Sequence, residues 1–173
     1  MEMCALMKPG RGKLLVAMII GMGLVVPVHA QFWSRDPAAL PTPTAFVTNL
    51  ELGDLDQAKA WLDAGLAPDF MGSRIGSGLM IGAWEGNLDM MRLFISRGAD
   101  INRMNGAGET AIILAAWRGH LEAVKWLVER GARINAPARQ WTPLHYAVFA
   151  GHRQVADYLM EQGADINALS TNG

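Results

Sequence analysis

The sequence predicts an all-α solenoid of four helix-turn-helix repeats, and three observations predict it. A Gly-x-Leu or Gly-His marker falls at Gly53, Gly86, Gly119 and Gly151, at intervals of 33, 33 and 32 residues. A second glycine, at Gly65, Gly98, Gly131 and Gly163, keeps the same intervals. It opens GADIN (98–102), GARIN (131–135) and GADIN (163–167), with a weaker GLAPD at 65–69. Three markers in one register across four copies define a stacked repeat with a period near 33. The copies divide into residues 44–76, 77–109, 110–141 and 142–173 of a domain at 44–173.

The chemistry of one copy is legible in residues 142–167. Thr142 is a good N-cap, because its hydroxyl can meet an orphan helix N–H. Pro143 at the first helical position loses no bond there. Leu144, Ala147 and Val148 then form one apolar face of a short helix, which Gly151 ends. A second helix turns Val155, Tyr158 and Leu159 inward and Arg153, Gln154, Asp157 and Glu161 outward. Gly163 suits the left-handed residue just past a helix end. An extended finger follows. The third copy agrees, with Leu121, Val124, Leu127 and Val128 facing in and Glu122, Lys125 and Glu129 facing out. Trp61, Phe94 and Trp126 share the apolar register of the outer helices, and Met71, Met80, Met90, Met91, Met104 and Met160 read as adaptable packing.

Thr142-Pro143-Leu144-His145, Ala147, Gly151-His152 and Gly163-Ala164-Asp165-Ile166-Asn167 closely resemble the ankyrin repeat, over residues 44–173. The resemblance implies antiparallel helix pairs stacked side by side, β-hairpin fingers at right angles to them, and a concave face of inner helices and fingers that binds proteins. The box is complete only in the last copy. It reads Thr110-Ala-Ile-Ile113, Ser77-Gly-Leu-Met80 and Thr44-Ala-Phe-Val47 in the others. Gln140 and Ile75 stand where the family usually has a turn glycine, which predicts non-standard finger tips. Residues 169–173 read as the start of a fifth finger, and no polar cap repeat follows, so one apolar side of the fourth copy is expected to be exposed.

Residues 1–30 have the layout of a secretory signal peptide. Lys8, Arg11 and Lys13 precede the apolar run LLVAMIIGMGLVVPV (14–28), and VHA supplies a cleavage site after Ala30. The run is short for a membrane span, which needs roughly 20 apolar residues; retention as an anchor is the alternative. Cleavage leaves 12 basic and 15 acidic residues, a net charge of −3, and removes Cys4, the sole cysteine. The mature chain then has no thiol chemistry or disulfide, and the expected location is the periplasm or outside the cell. QFWSRDPAALPTP (31–43), with Pro37, Pro41 and Pro43, reads as an extended Pro-rich linker.

Chemical motifs are sparse. No Lys/Arg block marks a nucleic-acid surface. There is no Gly-x-Ser-x-Gly elbow, Walker loop or His-Glu-x-x-His. GSRIGSG (72–78) lacks the Lys-Ser/Thr ending of a phosphate loop. His120 and His152 occupy one slot in successive copies and therefore read as structural; His145 belongs to the box, where the expectation is a hydrogen bond to backbone between repeats. No metal, cofactor, small-molecule ligand or catalytic residue is expected.

What remains is a surface. The residues just before the inter-helix glycine end the inner helix, and in ankyrin-like proteins those positions face the groove. Here they include Trp84, Glu85, Trp117, Arg118 and Phe149. Stacking predicts that Trp84, Trp117 and Phe149 form one column at a spacing of roughly 10 Å, the distance between packed helices. The alternative is that the tryptophans are packing. Glu85 and Arg118 would add charge at the rim, and Trp141, Arg139 and Arg74 lie on or beside fingers where they extend the surface. The reading is a non-enzymatic interaction module for one protein partner. Periplasmic ankyrin proteins with this layout are associated with oxidative-stress defence or toxin neutralisation. A host-directed secreted effector with the same fold is the alternative, and an enzyme with an unrecognised site is the third.

Overall fold

A computed structural model describes residues 39–72, 74–135 and 140–169. These belong to the unit spanning residues 35–173. The expected signal peptide, most of the linker and Arg139 lie outside the described residues.

Eight helices follow one another in four pairs: α1 (Pro43–Glu51) and α2 (Leu55–Asp63), α3 (Gly78–Glu85) and α4 (Leu88–Ser96), α5 (Ala111–Arg118) and α6 (Leu121–Val128), α7 (Pro143–Phe149) and α8 (Arg153–Glu161). The inner helices α1, α3, α5 and α7 stack in that order, and each also packs against its own outer partner. The middle inner helices are apolar all round because they have neighbours on every side. Residues 78–83 of α3 and 111–116 of α5 are all buried. Trp61, Phe94 and Trp126 are core residues as expected, and Met80, Met90 and Met91 are buried with them. Met104 and Met160 are exposed rather than packed.

Four local readings need correction. Helix α1 begins at Pro43, inside the segment read as linker, because Thr42 caps it: the Thr42 side chain accepts from the Ala45 N–H at 3.2 Å, and Pro43 loses no bond at the first turn. His145 does not reach a neighbouring repeat. Its Nδ1 accepts from the Thr142 N–H at 3.1 Å, while Thr142 Oγ1 accepts from the His145 N–H at 3.3 Å, closing a capping box within α7. Val148, read as inward, is 64% exposed. The residues six beyond the cap in the two preceding repeats, Ala83 and Ala116, are covered by the next inner helix, and α7 has no such neighbour among the described residues. No described residue lies in a β-strand, so the hairpin fingers are present there only as turns. One turn is closed by Asn105 N–H to Glu109 O at 2.9 Å and another by Gly72 N–H to Gly76 O at 3.1 Å. In the second of these the left-handed backbone falls on Gly76 (φ 129°), one residue after Ile75, where the glycine was missing.

Two side-chain ladders tie repeat to repeat. The first uses the inter-helix histidines: His120 Nε2 donates to Trp84 O at 3.0 Å and His152 Nε2 to Trp117 O at 2.9 Å. The second uses the last residue of the GADIN motif. Asn102 Oδ1 accepts from the Arg133 N–H at 2.8 Å and Asn135 Oδ1 from the Asp165 N–H at 2.9 Å. Asp69 takes the same role in the weaker GLAPD copy, accepting from the Asp100 N–H at 3.1 Å.

The histidine ladder constrains the glycine it packs on. Gly119 has φ 77°, and a Cβ there would lie 2.5 Å from His152 Nδ1. Gly98 has φ 87° but open space around it. Gly98→Ala therefore carries only the backbone cost of a left-handed non-glycine residue, of order 1 kcal/mol. Gly119→Ala adds displacement of the His152 ring and its hydrogen bond, roughly another 1 kcal/mol or more. Urea unfolding of the two variants checks this; equal losses would show that the ring yields freely.

Candidate partner-binding groove

The inner-helix ends bring the predicted aromatics together more tightly than stacking distance alone suggests. The Trp84 and Trp117 ring centroids are 5.4 Å apart in an edge-to-face arrangement, not roughly 10 Å. Helix axes stay a packing distance apart, but indoles are long enough to lean across it. Trp117 does not continue directly to Phe149. It meets Tyr146 at 5.1 Å, Tyr146 meets Trp141 at 5.2 Å, and Trp141 meets Phe149 at 5.6 Å. The result is one continuous row of five rings, Trp84, Trp117, Tyr146, Trp141 and Phe149. Edge-to-face pairs of this kind add about 0.5–1.5 kcal/mol each beyond their area burial.

Arg118 is exposed at the end of α5. Its guanidinium carbon lies 5.0 Å from the Trp84 ring centroid, a cation–π placement. Glu85 is exposed beside Trp84, at the end of α3. Arg74 is exposed on the turn before α3, and its carbonyl accepts from Asn105 Nδ2 at 3.4 Å. It is not part of the aromatic row.

Two residues of the site escaped the sequence reading. Tyr146 lies three residues before Phe149 on the same helix, a spacing that places both on one face; that was the available signal. Glu109 carried no signal, because its role depends on the turn closing back on itself. Its Oε2 accepts from Asn105 Nδ2 at 2.9 Å and its Oε1 from the Tyr146 hydroxyl at 3.2 Å. The Tyr146 hydroxyl is held above its ordinary pKa, first by burial and then by the neighbouring Glu109 charge, so it stays a donor. Glu109, Ile113, Tyr146, Trp141 and Phe149 line an open cleft of about 670 Å³.

Exposure rises at the last ring of the row. Trp84 and Trp117 are half-buried and clamped through their carbonyls by His120 and His152, whereas Phe149 is 71% exposed. Among the described residues no three His, Cys, Asp or Glu side chains are grouped to hold a metal ion, and no helix is long and apolar enough to cross a membrane.

Four stacked helix pairs with an aromatic row at the inner-helix ends define an α-helical repeat solenoid. Residues 79–170, more than half of the 173-residue chain, match the family model for ankyrin repeats in three copies, and the chain belongs to the ankyrin-repeat family. The match covers α3 to α8; the α1–α2 pair precedes it. No curated protein matches the chain. Ankyrin repeats are in general protein–protein interaction modules.

The difference in exposure separates packed from exposed rings. Trp117→Ala removes a ring packed on both Trp84 and Tyr146 and is expected to cost about 3 kcal/mol. Phe149→Ala removes a mostly exposed ring and is expected to cost under about 1 kcal/mol. Thermal and urea unfolding of both variants would show whether the order holds.

Proposed function

We propose that the chain is a non-enzymatic binding module, acting in the periplasm or outside the cell, that holds one protein partner in the groove along its aromatic row. The observation that carries the reading is the row itself: five rings in contact, ending in an exposed Phe149 beside an open cleft. Phe149 is the ring of the row that no later described helix covers, and exposed aromatic side chains beside a cleft are favoured binding anchors. The α1–α2 pair acts as a fourth, irregular repeat, and the inter-repeat turns act as the fingers of the groove. The basic-then-apolar leader with its VHA site supports export, and the absence of cysteine after Ala30 suits an oxidising compartment. Defence against oxidative stress and neutralisation of a toxin are both compatible with such a module.

Two measurements test the proposal. The exported chain is expected to begin at Gln31 by N-terminal sequencing; a chain retaining residues 1–30 overturns cleavage. Crosslinking capture from a periplasmic extract is expected to recover one dominant protein with the wild-type chain. The same protein is expected to be lost with Phe149→Ala, and with Trp84→Ala/Trp117→Ala if that variant melts normally. Equal capture by wild type and Phe149→Ala would move the binding surface off the row.

A further inference from the structure

The two ends of the aromatic row differ in charge, and the difference points to the chemistry of the partner. At the Trp84 end the protein supplies both signs, with the Arg118 guanidinium over the ring and the exposed Glu85 beside it. At the other end Trp141, Tyr146 and Phe149 border a cleft whose charged lining residue, among the described residues, is the carboxylate of Glu109. That carboxylate receives two neutral hydrogen bonds, one to each oxygen, and is in no ion pair among the described residues. A carboxylate can accept about four hydrogen bonds, so Glu109 keeps acceptor capacity. It is also held in place: Asn105 fixes one oxygen and Tyr146 the other, and Asn105 is itself anchored to Ile75 O at 3.0 Å.

Resting on the groove reading above, we infer that this cleft is the seat of an arginine side chain presented by the protein partner. The ring faces offer negative quadrupoles to a cation. Ile113 and Phe149 offer apolar surface to the aliphatic stem. The planar guanidinium can stack on an aromatic ring while its N–H fork meets the carboxylate, which a lysine ammonium cannot do in the same way. The volume, about 670 Å³, exceeds one side chain and leaves room for the flanking backbone of an extended segment. The partner segment is therefore basic at the position seated in this cleft.

The test is selection of random dodecapeptides displayed on phage against the intact chain, with counter-selection on Phe149→Ala to keep groove binders. The surviving peptides are expected to contain arginine at one fixed position. Replacing that arginine by citrulline, which keeps shape and removes charge, is expected to weaken binding about tenfold or more, as is Glu109→Gln with arginine retained. The citrulline arm needs no protein variant and stands even if Glu109→Gln disturbs the turn. Phe149-dependent peptides without arginine, or citrulline peptides that bind equally, overturn the arginine seat and leave the groove reading intact. Absence of any Phe149-dependent peptide overturns both. Binding of free ethylguanidinium as tight as that of the peptide makes the cleft a small-cation site and overturns the partner.

Discussion

The structure depends on a histidine reaching backwards. At the turn between the helices of the third and fourth pairs, His120 and His152 donate to the carbonyls of Trp84 and Trp117, the residues near the end of the preceding inner helix. One bond therefore does three things. It satisfies a helix-end carbonyl that has no intrahelical partner. It fixes the offset between adjacent repeats. It also holds the backbone of the residue whose ring builds the aromatic row. The glycines that precede these histidines in their own or neighbouring turns follow from the same contact. Gly86 and Gly119 adopt φ 69° and 77° and lie against His120 and His152, leaving no room for a Cβ.

The same slot works differently earlier in the chain. Asp54 and Asn87 stand where His120 and His152 stand later, and their side chains cap their own helices, accepting from Gln57 N–H and Met90 N–H at 3.0 Å each. His120 and His152 make no such cap bond. A short carboxylate or amide can reach its own first turn, and an imidazole can reach the next repeat. The choice is local stability against inter-repeat registration. The aromatic row starts at Trp84, the first residue whose carbonyl a histidine clamps, so the row and the change of residue at the turn begin at the same joint. The first joint has no histidine bond among the described residues and combines the Asp69 bond to the Asp100 N–H and the Arg97–Asp63 ion pair with packing, Phe46 lying against Trp61, Phe70 and Phe94, and Gly78 leaving the space that the Phe94 ring fills.

How much of this was legible follows from what each feature depends on. The period, the helix pairs and the positive-φ glycines are written in single residues at fixed intervals, so they could be read directly. The row was half legible. Trp84, Trp117, Phe149 and Trp141 follow from position, but their spacing depends on rotamers, and Tyr146 links them only because Trp141 folds back from the turn onto α7. Glu109 was not legible, because its place is set by Asn105 closing a turn and by a tyrosine 37 residues later. His145 was misread for a related reason. The box histidine has two competing partners, its own cap and the next repeat, and no sequence spacing says which is nearer.

On the proposed reading, stability and recognition divide along the row. In a solenoid each inner helix is covered by the next, so a ring at a repeating position is buried by its successor. Trp84 leans on Trp117 and Trp117 on Tyr146, and their energy is committed to holding adjacent repeats together. Phe149 touches only Trp141 within the row, and Val148 beside it is exposed as well. Such a ring contributes little to folding, so its apolar area remains free to be covered by another molecule. The packed rings give the exposed one a rigid backing, which lowers the entropy lost when a partner docks. The rings that cannot be removed without harming the fold thus support the one that can. Fold and recognition are continuous in this groove without resting on the same residue.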